Sequence, residues 1–213
     1  MTYLQLVNAV LGRLREDLVT TVQGSDDVVV ELVRSYINDA KRMVESSYNW
    51  SALASEWDFN TVVGVAAVDS TAPVGSVLDV VFDSNGNELQ PLAKNEMRKR
   101  QLRGEENNSP RYYAVSGTVN GNYQLQVWPK PSKVGTYYVY GYGHSADLEE
   151  DTDVLLVPSE PVIYFALANA ARERGEVGAQ GMPEMLGTAK GYLTDAIARE
   201  ASNNLNDNIW TMV

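Results

Sequence analysis

The sequence predicts an α+β fold: a helical bundle from both chain ends with an inserted antiparallel β-sheet or sandwich domain. Apolar residues recur at helical spacing before residue 50 and again after Val157. The intervening stretch alternates β-branched and aromatic runs with Gly, Asn and Pro punctuation. Neither set of helices carries enough apolar surface for a core of its own, so the economical arrangement packs them together. The expected domains are 1–54 plus 155–213, helical and finishing in a C-terminal arm, and 55–154, the β domain.

A first helix is expected from the N-cap Thr2 to about Asp17, with Leu4, Val7, Leu11, Leu14 and Leu18 on one face. After Gly24, Ser25 reads as the next N-cap, with Asp26 and Asp27 complementing the helix dipole. The second helix keeps its period through Val29, Leu32, Val33, Tyr36, Ile37, Ala40, Met43 and Val44. Its polar residues, Glu31, Arg34, Asn38, Asp39, Lys41, Arg42 and Glu45, are assigned to the outer face. It ends near Tyr48-Asn49-Trp50.

Strands are expected at 59–63, 77–82, 112–115, 123–128 and 135–140. Asn85-Gly86 and Asn120-Gly121 are hairpin dipeptides, which makes most neighbours antiparallel. A short helix fits Asn95 to Leu102. Ser159 caps a third long helix whose apolar face is Val162, Ile163, Ala166, Leu167, Ala170 and Ala171, stopping at Gly175. A fourth follows Pro183, with Glu200 the one polar interruption of its inner stripe.

Composition excludes several function classes. Cysteine is absent, so no disulfide, thiolate metal site or cysteine nucleophile can form. This fits folding in a reducing cytoplasm. The start, Met1-Thr2-Tyr3-Leu4-Gln5, lacks the basic and apolar regions of a signal peptide. No apolar run approaches the roughly 20 residues of a membrane span. His144 is the single histidine, and it reads as a surface or edge residue more readily than as a general base. No phosphate-binding or dinucleotide-binding glycine pattern occurs, so no cofactor, no metal and no catalytic site is expected.

The net charge of −11 opposes tight nucleic-acid binding and suits a surface past which DNA slides. Within that acidic chain, Lys94, Arg98, Lys99, Arg100 and Arg103 form a basic cluster, joined by Arg111. Asp147, Glu149, Glu150, Asp151 and Asp153 form the densest acidic one, which reads as a solvated linker. These two clusters are candidate subunit–subunit contacts, the basic one of one copy meeting the acidic one of the next. The polar stretch 202–208 leads to a tip in which Leu205, Ile209, Trp210, Met212 and Val213 are candidate docking residues. Tyr138, Tyr140 and Tyr142 alternate along one strand face, where packing or an interface is favoured over sugar stacking.

The order and spacing of several segments add a resemblance. Tyr3-Leu4-Gln5-Leu6-Val7 is followed by Tyr36-Ile37-Asn38-Asp39-Ala40 and Tyr48-Asn49-Trp50. Leu125 to Pro131, the strand ending Tyr140-Gly141-Tyr142, and Val162 to Ala168 after Pro158 come later. Together these resemble the head-to-tail adaptor, or connector, proteins of short-tailed bacteriophages, the group that includes tail tubular protein A. The resemblance implies a structural virion protein made in the host cytoplasm and sited at the head–tail junction. It implies a homo-oligomeric ring of about twelve copies, bound to the portal protein above and a tail nozzle or tube below. DNA would pass through without specific binding. The helical part would build the ring, and residues 205–213 would give the arm that docks on the portal. The alternatives left open are a carbohydrate-binding or hydrolytic β domain on a helical base, and a more distal tail component.

Overall fold

The computed structural model describes residues 1–24, 27–104, 108–173 and 181–203. The chain divides into two compact units, Met1–Leu53 with His144–Val213, and Ala54–Gly143. The first contains α1 (Tyr3–Arg13), α2 (Val28–Glu45), a 3-10 turn at Ser51–Leu53, α4 (Ser159–Glu173) and α5 (Gly181–Asn203). The second contains β1 (Ala54–Asn60), β2 (Ala67–Pro73), β3 (Val77–Asp83), β4 (Glu88–Pro91), α3 (Lys94–Arg103), β5 (Tyr112–Val119), β6 (Asn122–Trp128) and β7 (Thr136–Tyr142).

In the first unit α4 packs against α1, α2 and α5. The shared core includes Leu6 and Val10 of α1, Val33, Ile37 and Val44 of α2, and Val162, Phe165 and Ala166 of α4. Small residues let α4 sit at the centre, because alanines allow close helix approach on several sides at once. A capping box starts α1: the Gln5 N–H donates to Thr2 Oγ1 at 3.4 Å, and the Thr2 N–H donates to Gln5 Oε1 at 3.0 Å. The helix ends at Arg13, short of the expected Asp17, and Leu18 lies beyond it, exposed. Asp27 caps α2, accepting from the Val29 N–H at 2.8 Å; Ser25, the expected cap, lies outside the described residues, as does Gly175. Glu200 interrupts the apolar stripe of α5 for a reason. Its Oε1 accepts the Ser51 N–H at 2.9 Å and the Ser51 hydroxyl, closing the start of the 3-10 turn.

The polar face of α2 departs from expectation. Lys41 and Glu45, assigned to the outside, have side chains with no solvent exposure. Asn38, Lys41, Arg42 and Glu45 follow i, i+3, i+4, i+7 spacing and so form one stripe. Residues 145–148 lie along it. Lys41 Nζ donates to the Ser145 carbonyl at 2.8 Å and sits 3.3 Å from Glu45 Oε1. The Ser145 hydroxyl donates to that same oxygen at 2.6 Å, while His144 Nδ1 stands 3.4 Å from Oε2. The Asn38 amide pairs with the Leu148 backbone in both directions, at 3.0 and 2.9 Å. Arg42 grips the Asp147 carboxylate with Nε, at 3.1 Å, and with Nη2. A side-chain amide that mimics a strand partner recurs on α1, where Asn8 pairs with Val19 at 2.9 Å both ways.

The acidic segment that follows is therefore built into the fold rather than being a free linker. Asp151 Oδ1 accepts the Val22 N–H at 2.7 Å. The Asp153 carboxylate accepts the N–H groups of Glu149 and Glu150, both at 2.8 Å. The carbonyls of Asp153 and Asp151 accept the Tyr3 and Leu4 N–H groups, at 2.8 and 3.3 Å. These are donors that a helix start leaves without an intrahelical partner.

The second unit overturns the expected architecture of a helical bundle with an inserted antiparallel sheet or sandwich. Its strands close into a seven-stranded barrel in the order β1-β2-β6-β5-β4-β3-β7. One seam, β4 on β5, is parallel. Two closing strands escaped the sequence reading. β2 is Ala-Val-Asp-Ser-Thr-Ala-Pro, poor in large β-formers, and β4 has only four residues and ends in proline. With those two unseen, the other five imply an open sheet. Both hairpin dipeptides do mark turns: Asn120 and Gly121 have φ of 51° and 81° between β5 and β6, and Gly86 has φ of 81° between β3 and β4. The barrel is filled by Phe59, Val68, Val81, Leu89, Tyr113, Leu125, Val127, Tyr137 and Val139. Phe59 and Tyr137 stack inside it with centroids 5.2 Å apart. Helix α3 lies on the outer face of β5 and β6, where Met97 packs on Ala114 and Trp128.

Two tests follow for the α2 stripe. Truncating one member of a buried ion pair strands the other charge, at a cost of about 3–5 kcal/mol, whereas replacing both by apolar residues is close to neutral. Lys41→Met and Glu45→Leu should each lower unfolding free energy by about that amount, and the double variant should recover most of it in denaturant titrations. The Arg42 hydrogen bond holds the Asp147 carboxyl below its ordinary value of 3.8, against the opposing effect of burial. A depressed carboxylate contributes stability above that value, and the contribution is lost as pH falls through the folded pKa. Asp147→Asn should therefore lower Tm at neutral pH, where the contribution is fully present, and flatten the further loss of Tm on acidification below pH 3.8, so that the two proteins converge in acid.

Candidate functional site

Among the described residues no group of three or more His, Asp or Glu side chains is placed to hold a metal ion. Nor is any described helix long and apolar enough to cross a membrane. The charged and aromatic features fall into distinct places.

Helix α3 gathers Lys94, Arg98, Lys99, Arg100 and Arg103 on ten residues. The inner side is fixed by Met97, fully buried, and by Arg100, whose guanidinium lies 4.3 Å from the Tyr112 ring centroid. Gln101 reaches Gln126 at 3.4 Å and Lys94 Nζ donates to the Ser116 carbonyl at 2.8 Å. With those contacts holding the helix down, Arg98, Lys99, Leu102 and Arg103 point outward. Lys99 pairs with Glu96 at 2.6 Å, and this pulls the Glu96 carboxyl below its usual range. Leu102 is 72% exposed, an aliphatic side chain on the same helix as the exposed Arg98, Lys99 and Arg103. Sequence reading missed it, although it sits at i+4 from Arg98, the same-face spacing.

A second surface lies on the outer face of β1, β7 and β3. Strand alternation sends Tyr137 and Val139 into the barrel and Tyr138 and Tyr140 outward, 37% and 44% exposed. Register places Asp58 beside Tyr138 and Glu56 beside Tyr140 on one flank, and Phe82 and Val80 on the other. Phe82 meets the Tyr140 ring edge-on at 5.7 Å between centroids. The Glu56 carboxylate across the strand keeps the Tyr140 phenol above its ordinary value. Beside it a hollow of about 350 Å³ is lined by Ala54, Glu56, Asp79, Tyr140 and Tyr142. Gly141 has no room for a side chain, since a Cβ would lie 2.0 Å from the Val77 carbonyl oxygen where β3 bulges.

The acidic candidates occupy the loop of the first unit. Asp147, Asp151 and Asp153 are engaged as described above, and Glu149 and Glu150 are exposed. The five basic candidates share one helix and the five acidic ones share one loop, in different units of the chain. Leu205, Ile209, Trp210, Met212 and Val213 lie outside the described residues. A groove of about 310 Å³ in the first unit is bordered by Trp50, Pro158, Pro161, Tyr192, Ala196 and Glu200. Trp50 is fixed there by its Nε1 donating to the Val44 carbonyl at 2.8 Å.

No curated protein matches the chain. A family model does, the SU10 adaptor protein, over residues 1–208. With nearly the whole chain inside the match, both units included, the chain belongs to the SU10 adaptor protein family and is a bacteriophage structural adaptor.

Proposed function

We propose that this adaptor joins a phage head to its tail as a ring, of the type of tail tubular protein A, at the head–tail junction of the virion. About twelve copies surround an axis beneath the portal protein and hold a nozzle or tube component below. DNA passes through the ring without specific binding. The observation that carries this reading is the adaptor-family match over residues 1–208. It agrees with the net charge of −11, since a surface of the same sign as DNA lets the duplex move without adhering. The surfaces described above offer side chains for recognition, in keeping with a protein that binds other proteins.

In this reading the C-terminal segment is the portal-docking arm. It is tipped by Ile209, Trp210, Met212 and Val213, and a large aromatic side chain is a frequent interface anchor. Deleting residues 205–213 should leave a chain that melts like the full-length protein but no longer sediments with portal-bearing heads. Undiminished co-sedimentation would remove the arm from the docking role. Attachment of the full-length chain to isolated tails but not to heads would move the protein to a more distal place in the tail.

A further inference from the structure

We propose that the outward face of α3 on one copy docks on the outer face of β1, β7 and β3 of the next copy, with Leu102 entering the hollow beside Tyr140. This contact rests on the ring reading above and supplies it with a specific subunit interface. It differs from the pairing of α3 with the acidic loop. That loop has Asp147, Asp151 and Asp153 engaged within the chain, with Asp147, Glu149 and Glu150 exposed.

Three features of the second unit carry the proposal. First, the two faces are complementary in charge: Arg98, Lys99 and Arg103 on α3, against Glu56, Asp58 and Asp79 on the barrel. Second, each carries apolar surface inside its charged rim. Leu102 is 72% exposed on one, and Tyr138, Tyr140 and Val77 are 37%, 44% and 49% exposed on the other. An apolar centre with a polar rim is the usual anatomy of a protein interface. Tyrosine faces also accept guanidinium groups, as Arg100 over Tyr112 already does within the chain.

Third, the topology sets the faces on opposite sides of one closed body. In the order β1-β2-β6-β5-β4-β3-β7, strand β7 is separated from β6 by β1 and β2, and from β5 by β3 and β4. The helix sits on β5 and β6, so it lies across the barrel from β7. Complementary patches on opposite sides of one body give a heterologous contact, which repeats from copy to copy and closes when the rotation allows. A self-complementary patch would stop at a dimer. Nucleic acid is a poorer occupant for α3, because phosphates would leave Leu102 in water and the chain as a whole repels them.

The absence of cysteine makes the test clean, because every disulfide formed is an engineered one. Full-length chain carrying both Leu102→Cys and Tyr140→Cys is assembled onto portal-bearing heads and oxidised with copper phenanthroline. Non-reducing electrophoresis should then show a ladder of covalent multimers, while each single variant stays monomeric. Arg98→Cys with Asp58→Cys should behave alike, which covers the case that the first pair does not fold. Charge reversal adds a second readout: Arg98→Glu with Arg103→Glu should cut assembly on heads about tenfold, and adding Glu56→Arg with Asp79→Arg should restore it.

Two crosslinking results would overturn the contact while leaving the adaptor ring intact. One is wild-type assembly on heads with no ladder from either pair; the other is a ladder only from Leu102→Cys with Glu149→Cys. Loss of DNA retention as the sole effect of the α3 reversal would also overturn it, assigning the face to nucleic acid. Wild-type chain that never assembles on heads would overturn the ring reading, and the contact with it.

Discussion

The polar stripe of α2 is the constraint on which the first unit depends. Asn38, Lys41, Arg42 and Glu45 are held against residues 144–148. Burying Lys41 and Glu45 among them is unfavourable without partners, because water's hydrogen bonds are given up. Here the partners are the backbone of Ser145 and Leu148 and the side chains of Ser145 and Asp147. An apolar stripe would tolerate the segment at several positions along the helix. The paired donors and acceptors accept one register, so the stripe specifies position as much as it stabilises. Once it is set, Asp151 and Asp153 reach Val22 and the start of α1. Carboxylates that raise the net negative charge thus also organise the backbone around them.

Much of the helical structure was legible in the sequence, since α1, α2, α4 and α5 all follow apolar spacing of three and four. What misled was the assumption that a polar helix face meets water. Lys41 and Glu45 stand four residues apart, and that spacing reads the same whether the pair is solvated or covered by distant chain. Glu200 is a similar case, a carboxylate whose purpose becomes visible only once Ser51 is placed beside it. Barrel closure was illegible for another reason. Strands such as β4 are stabilised by their neighbours more than by their own composition, and a four-residue segment ending in proline carries no signal alone.

The surfaces were partly legible as well. Charge counting found the basic residues of α3, because they stand out in an acidic chain. It could not say which of them face outward, a distinction made by Met97, Arg100 and Gln101 anchoring the inner side. The alternating tyrosines of β7 were visible, whereas the flanking Glu56, Asp58 and Phe82 become neighbours only through register. Leu102 was hidden among charges. A single leucine in a cationic helix reads as an ordinary helix former until its exposure is known.

Closure of the barrel has a bearing on life in a crowded particle. An open sheet ends in rows of unpaired amide and carbonyl groups, which template strand addition from any neighbour and so invite aggregation. The seven strands here pair all the way round, with the two-pair parallel seam of β4 and β5 as the last link. Among the described strands, the barrel consequently offers adjacent molecules no open sheet edge. Recognition is left to side chains, which sense shape and sign and release a wrong neighbour as readily as they engage it.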